Sequence, residues 1–346
     1  MQGSLAYTTV RNEGPFLLEW IAWQKMLGFE RILILFNDCT DHSPQLLRLL
    51  ERAGEIACKR HFPDREGLPP QPSALKACRN HPFVKDCEWM FNCDVDEYLV
   101  IHKGDGTIGA LLNNGDVPFV GLSVHWRIFG SNGIRAWEDG FVHRRFARSA
   151  PSDAPQNNCV KTFLRQPLRF GKLRTHTPRF WQGEGAWNED DNHLVLSDGR
   201  VWGDFDPDTN LLNGTAQELV THKVAELNHY ILQTWEQYEH KRGRPSAAEG
   251  LDRYTERFFK RFDHNSTPND TVTAYADRFD AEYARLCAIP GVMRLHHLCC
   301  ADYVEEMRAK RGRDPRDDPR WQHHRAEAKR LSTPSASAPT DVRETG

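Results

Sequence analysis

"FNCDVDEYLV", residues 91–100, joins two apolar runs through three carboxylates in four positions. Asp94 and Asp96 flank Val95, and Glu97 precedes the apolar Tyr98–Leu99–Val100. Like charges this close repel one another, so the end of a buried strand needs a positive partner to carry them. Alternate residues of an extended chain point to the same side, which gives Asp94 and Asp96 a common face. Two carboxylates so placed make a hard-oxygen site for Mg2+ or Mn2+, ions held by one or two carboxylates plus substrate phosphates. The triplet alone is weak. With 48 acids among 346 residues, roughly six or seven such triplets arise by chance, so the weight rests on the context.

Upstream, strands and helices alternate. "SLAYTTV" (4–10) reads as a buried strand. Pro15 stands at a first helical position, Leu17, Trp20, Ile21, Gln24 and Leu27 follow at helical spacing, and Gly28 supplies the stop. "RILILF" (31–36) is a short β-rich run of the kind covered on both faces. Ser43–Pro44 opens a second helix that Gly54 ends, "EIACKRH" (55–61) is a third strand, 73–80 a helix, and "CEWMFNC" (87–93) a fourth strand. This alternation predicts a parallel sheet with right-handed crossovers. Such sheets bind ligands at the carboxyl ends of their strands. Arg11–Asn12–Glu13, Asn37–Asp38–Cys39–Thr40–Asp41 and Asp94–Val95–Asp96 are therefore expected along one rim.

Residues 117–230 are irregular, with β-like runs "FVGLSVHWRIF", "VKTFLR" and "HLVLSDG", and 231–310 read as helical. The expected organisation is an α/β domain over 1–245, a helical extension over 246–310, and a charged, disordered tail over 311–346. The net charge of −3 and the lack of a basic stripe argue against a nucleic-acid partner. Nine cysteines without CxxC spacing argue against a zinc ribbon and for a reduced compartment. No apolar run approaches the ~20 residues that span a bilayer, and the start lacks signal-peptide character. The reading is cytoplasmic.

"VRNEGPFLLEWIAWQKMLGFERILILFNDCTDHS" (10–43) followed by "FNCDVDEYL" resembles bacterial glycosyltransferases of the family-2-like group related to glycosyltransferase family 92 (DUF23). "WRIFGSNG" (126–133), "VKTFLRQP" (160–167) and "LNHYILQTWEQYEHKRGR" (227–244) extend the resemblance in order over about 7–245. Arg11, Cys39 and Thr234 depart from the family pattern, which has Lys, Ser and Ser there. The resemblance implies a GT-A-like (Rossmann-like) nucleotide-sugar-binding fold with a mixed, mostly parallel sheet. It also implies transfer of a sugar, hexosyl in type and with inversion, from a UDP- or GDP-sugar to a glycan or lipid-linked acceptor, with Mn2+ or Mg2+ on the diphosphate. On that basis Asn12, Glu13, Asn37 and Asp38 are expected at the nucleoside, and Asp94 and Asp96 at the metal. His229, in "LNHY" just before a helical stretch, would complete the metal shell.

Lys161, Arg165, Lys241 and Arg242 lie in family-like motifs and suit phosphate oxygens. Trp126 and Arg127 are candidates for the acceptor pocket, where an aromatic face suits a sugar ring. Inversion needs a carboxylate to take the acceptor's proton, and "GEGAWNEDDN" (183–192) offers Glu189 and Asp190. "GSNG" (130–133) is not a nucleophile elbow, which discounts Ser131. Two other readings compete. One is a catalytically inactive nucleotide-sugar-binding module. The other is a metal-dependent haloacid-dehalogenase-like phosphatase with Asp94 as nucleophile, though that motif belongs on a first strand rather than a fourth.

Overall fold

The computed structural model describes residues 3–63, 67–113, 118–248 and 250–332. The expected strand–helix alternation is present: β1 (Ser4–Val10), α1 (Gly14–Met26), β2 (Arg31–Phe36), α2 (Ser43–Arg52), β3 (Ala57–Arg60), α3 (Pro70–Cys78) and β4 (Trp89–Asn92). After the acidic segment come β5 (Glu97–Ile101), β6 (Gly121–Ile128), β7 (Val160–Arg165), β8 (Leu194–Leu196) and β9 (Ala225–His229). Helices α4 (Trp235–Lys241), α5 (Ala276–Cys287), α6 (Val292–Ala309) and α7 (Pro319–Arg330) follow.

Nine strands form one sheet in the order β3-β2-β1-β4-β7-β6-β9-β5, with β8 also on β6. β1 pairs in parallel with β2 and β4, β2 with β3, and β6 with both β8 and β9. The antiparallel pairs are β4–β7, β6–β7 and β9–β5. This is the mixed, mostly parallel sheet with a helical C-terminal part that was expected. Its consequence for the site is directional. β1, β2, β4, β6 and β9 all point their carboxyl ends to the same side, where Asn12, Asn37 and Asp94–Asp96 follow.

The single apolar face read for α1 is too narrow a description. Phe16, Leu18, Ala22 and Trp23 are buried together with Leu17, Trp20 and Ile21. The sheet covers one side of the helix, and α5 and α6 cover the other. Trp23 lies 5.3 Å from Tyr275 and 5.9 Å from Phe279, and its indole N–H donates to the Leu99 carbonyl at 2.9 Å. Each such side chain contributes about 1.5–3 kcal/mol by leaving water. One apolar cluster runs from Ala6 to Met307, so the helices of 246–310 share the core of the sheet. Among the described residues, no helix is long and apolar enough to cross a membrane.

The tail expected to be disordered over 311–346 is corrected in its first part. Residues 319–330 form α7, whose N-cap Asp318 accepts from the Arg320 N–H at 3.0 Å and whose first turn holds Pro319. The stripe that docks it is Trp321, His324 and Ala328, with His324 and Ala328 buried. Two of these three are weakly apolar or polar by residue type, which hides the stripe from a hydropathy reading. The remainder of that segment, 333–346, lies outside the described residues.

The close approach of α6 to the start of α1 gives a test. A Cβ on Gly14 would meet Cys299 Cβ at 2.4 Å and Sγ at 2.5 Å. Gly14→Ala should therefore lower stability by about 1–3 kcal/mol, read as a fall in denaturant midpoint.

Candidate functional site

The acidic segment is the link between β4 and β5, and those strands are not neighbours. β7, β6 and β9 lie between them in the sheet, so the link passes over the ends of all three. Each intervening strand sends one side chain up to it. From β7, the Lys161 Nζ is 2.9 Å from Asp94 Oδ2 and 3.1 Å from Glu97 Oε2. From β6, the Trp126 indole N–H donates to Glu97 Oε1 at 2.8 Å. From β9, the His229 Nε2 is 3.7 Å from Asp96 Oδ1.

Glu97 is the inner keystone of this link. It is fully buried and accepts the Asp94 backbone N–H at 2.8 Å. Burial raises its carboxyl above the usual range, with Lys161 pulling the other way. Lys161 is also fully buried. Burial works against its charge, but Asp94 and Glu97 outweigh it and hold the ammonium well above the ordinary lysine value. Asp94 further accepts from Gln71 Nε2 at 2.7 Å. For Asp96, burial opposes ionisation, but His229 beside it, with Lys241 and Lys161, holds the carboxyl well below the usual range.

These groups face a cleft lined by Arg11, Glu13, Asp94, Asp96, Trp126, His176, His229, Lys241, Arg244, Arg253 and Tyr254. Glu13 caps the amino end of α1. Burial pushes its carboxyl up to about 7, against Lys241 and with Asp96, Asp41 and Asp94 adding to the rise. Burial lowers His176 to about 3, and its Nδ1–H donates to the Val160 carbonyl at 2.8 Å. The neutral ring faces Trp126 at 5.3 Å. Trp126 also packs on His229 at 4.3 Å. The Nε of Arg253 is buried without an acceptor among the described residues.

Set against the sequence reading, the structure brings Glu13, Asp94, Asp96, Trp126, His229 and Lys241 together in the cleft. Lys161 lies beneath it, committed to Asp94 and Glu97 rather than open to a phosphate. His229 is the last residue of a strand, and helix α4 begins only after Thr234. Asn12 is spent within the protein. Its Nδ2 reaches Thr40 Oγ1 at 2.8 Å and Glu306 Oε1 at 2.6 Å, and its Oδ1 accepts the Thr40 N–H at 2.9 Å. Asn37 is buried and donates to Asp38 Oδ2 at 3.0 Å, while Asp38 is exposed outside the cleft lining.

Other candidates fall elsewhere. Arg127, next to Trp126 on β6, points to the opposite face and donates to Ser149 Oγ at 3.2 Å, so it does not reach the pocket that Trp126 lines. Arg242 donates to the Tyr254 carbonyl at 3.2 Å, and it is Arg244 that lines the cleft. Asp190 lines a separate pocket with Arg165, Arg169 and Glu184, and the adjacent exposed Glu189 accepts the Ala186 N–H at 3.1 Å. That pocket sits at Val120 and Arg165, the ends of β6 and β7 away from Trp126 and Lys161. The length of β7 separates it from the acidic link, about 13 Å at strand rise. Glu189 and Asp190 are thus not placed to act on a group in the cleft.

Gln71, Glu97, His176, Arg244 and Arg253 escaped the sequence reading as site residues. Glu97 could have been found as the third acid of the cluster. Arg244 ends the family-like stretch 227–244 and could have been found there, whereas Gln71, His176 and Arg253 carry no local signal, because topology alone delivers them.

The model of glycosyltransferase family 92 matches residues 8–280, most of the chain. The chain belongs to glycosyltransferase family 92. Curated relatives of that name include one from Ricinus communis, 29% identical over 133 residues that make up 37% of this chain and 23% of the relative. Another, from Oryza sativa subsp. japonica, is 27% identical over 128 residues, 36% of this chain and 21% of the relative. The match thus spans less than a quarter of the length of these family 92 proteins. Among solved structures, S. aureus TarS 1-349 in complex with UDP-GlcNAc is 12% identical, covering 94% of this chain and 88% of that one at a TM-score of 0.30. So loose an overlap carries no argument about the ligand of this family 92 member.

Two outcomes test the electrostatics of this cleft. Lys161→Met leaves Asp94 and Glu97 facing each other without their cation and should cost about 3–5 kcal/mol. The double variant Lys161→Met/Glu97→Gln should recover part of that loss in urea titrations. Glu13 has a folded-state value raised from 4.5 to about 7, so its contribution to stability is full below about 4.5 and lost as pH rises through about 7. Glu13→Gln should accordingly be more stable than wild type above pH 7, by roughly 1–2 kcal/mol after solvent screening. Melting temperatures followed across pH 4–9 check the sign.

Proposed function

We propose that the glycosyltransferase takes its sugar from a UDP- or GDP-sugar bound in this cleft. It delivers the sugar to a hydroxyl of a glycan or lipid-linked acceptor, with Mn2+ or Mg2+ on the donor diphosphate. The observation that carries the reading is the composition of the cleft. The carboxylates of Asp94 and Asp96 stand beside the imidazole of His229, with Arg11, Lys241, Arg244 and Arg253 around them.

The residues present fit a divalent ion. Asp96 is held ionised, and His229 faces it through Nε2. Asp94 pairs with Lys161 at 2.9 Å. Asp94, Asp96 and His229 would hold the ion, an oxygen and imidazole set that suits manganese better than calcium. When bound, such an ion supplies positive charge to the diphosphate as it leaves the sugar.

The chain's own groups do the rest. Lys241 stays charged despite burial, because Tyr254, Glu13 and Asp96 hold its ammonium above the ordinary value, so it can meet a phosphate oxygen. The unpartnered Nε of Arg253 offers a donor on the same wall. Trp126, fixed through Glu97, presents a ring face for a sugar. Hexosyl transfer with inversion requires a carboxylate that accepts the acceptor's proton. With Glu189 and Asp190 remote, Glu13 is the cleft carboxylate whose proton affinity, near 7, matches that task.

Calorimetric titration of UDP and GDP with and without Mn2+ tests the site. Asp96→Ala should weaken the metal-dependent binding at least tenfold while the fold persists. His229→Ala should lose more affinity with Mn2+ than with Mg2+. Wild-type-like binding by Asp96→Ala, or binding indifferent to metal, overturns the assignment. Slow hydrolysis of a bound donor in the presence of Mn2+ separates an active transferase from a module that only binds.

A further inference from the structure

Helices α6 and α7 meet along a face that carries three imidazoles, none of which lines the cleft. His297 comes from α6, and His323 and His324 come from α7. One donor atom from each of the three lies within 4.8 Å of the other two. The Nδ1 atoms of His297 and His324 are 3.0 Å apart. Ring centroids are separated by 5.3 Å for His297–His324, 6.1 Å for His297–His323 and 5.1 Å for His323–His324. This segment lies beyond residues 8–280, the part matched to the family.

We propose that His297, His323 and His324 form a binding site for a borderline divalent metal of the zinc class, which clamps α7 onto α6. Tetrahedral zinc binds imidazole nitrogen at about 2.0–2.1 Å, which sets neighbouring ligand nitrogens about 3.3 Å apart. The His297–His324 separation is already close to that value. His323 is exposed, so its ring is free to turn toward the pair. An imidazole–imidazole hydrogen bond accounts for His297 and His324, and His323, next to His324 on α7, brings a third nitrogen within reach of both.

His324 is buried at the α6–α7 contact. Two carboxylates lie close to the cluster. Asp139 interacts electrostatically with His296, His324 and His297. Glu327, one helical turn beyond His323 on α7, holds Arg330 through Oε2 at 2.7 Å, and its charge also reaches His297 and His323. Residues 323 and 327 share a helix face at i,i+4 spacing, so the Glu327 carboxylate or a water can fill a fourth position. Trp137, 6.1 Å from the His324 ring, walls the inner side.

The test uses the full chain freed of metal by a chelator and titrated with zinc chloride alone. Bound zinc and melting temperature are read together. Wild type is expected to take up zinc with a rise in melting temperature, and to show visible d–d absorption with Co2+ in place of Zn2+. His323→Ala, at an exposed position that the core does not need, should weaken that uptake at least tenfold and abolish both the rise and the absorption. His297→Gln should do the same, while Asp96→Ala, altered in the cleft, should retain all three signals. Equal zinc uptake and stabilisation by wild type and His323→Ala overturn the proposal. So do a wild type whose melting temperature zinc leaves unchanged and an Asp96→Ala variant that loses the signals.

Discussion

The ammonium of Lys161 is held between Asp94 and Glu97 with no solvent around it, and much of the site follows from that arrangement. Three carboxylates in four residues would push the β4–β5 link outward. The buried cation answers Asp94 and Glu97 from below, while Asp94 and Asp96 both line the cleft. Such a pair adds little net stability, because taking the charges out of water costs nearly as much as their attraction returns. What it does fix is the conformation. Glu97 accepts the Asp94 N–H and the Trp126 indole N–H while it faces Lys161. One buried carboxylate thereby ties the link to β6 and β7 at once. The question raised by the acidic cluster has a first answer inside the protein itself.

The second constraint is the cover on the sheet. A helix as apolar all round as α1 cannot stand at a surface, so the fold needs α5 and α6 on its outer side. Those helices also finish the rim of the site. Glu306 of α6 accepts from Asn12 and Thr40 and lies 3.2 Å from His240 Nε2. His240 sits next to Lys241 on α4. The C-terminal helices are thus coupled to the loops after β1 and β2 and to the helix that carries the cleft lysine.

Periodicity made the first hundred residues legible. The strands at 4–10 and 31–36 have the expected bounds, and the acidic segment follows the fourth strand as read, though the strand after it at 97–101 was not. Three kinds of feature were not legible. Arg127 and Trp126 were read as partners, yet adjacent residues of a strand face opposite ways, and only the register of β6 decides which one sees the cleft. Glu189 and Asp190 looked like a base because of their type. Their loop lies at the far end of β6, a fact of topology with no local trace. The helix at 319–330 was hidden because a Trp–His–Ala stripe scores as polar, although Asp318–Pro319 is an ordinary start signal.

The charges of the cleft have a consequence for how ligands would enter it. Asp94 is already neutralised by Lys161, and Asp96 shares the field of His229 and Lys241. A divalent ion arriving alone meets carboxylates whose charge is partly spent and cationic side chains that oppose it. A diphosphate arriving alone finds Lys241, Arg244 and Arg253, but also Glu13, Asp94 and Asp96. Each ligand supplies the charge that the other lacks, so on the proposed reading the pair is held better than either component. The same balance keeps the empty cleft compatible with folding: every acid that faces it has a cation or a proton to answer its charge.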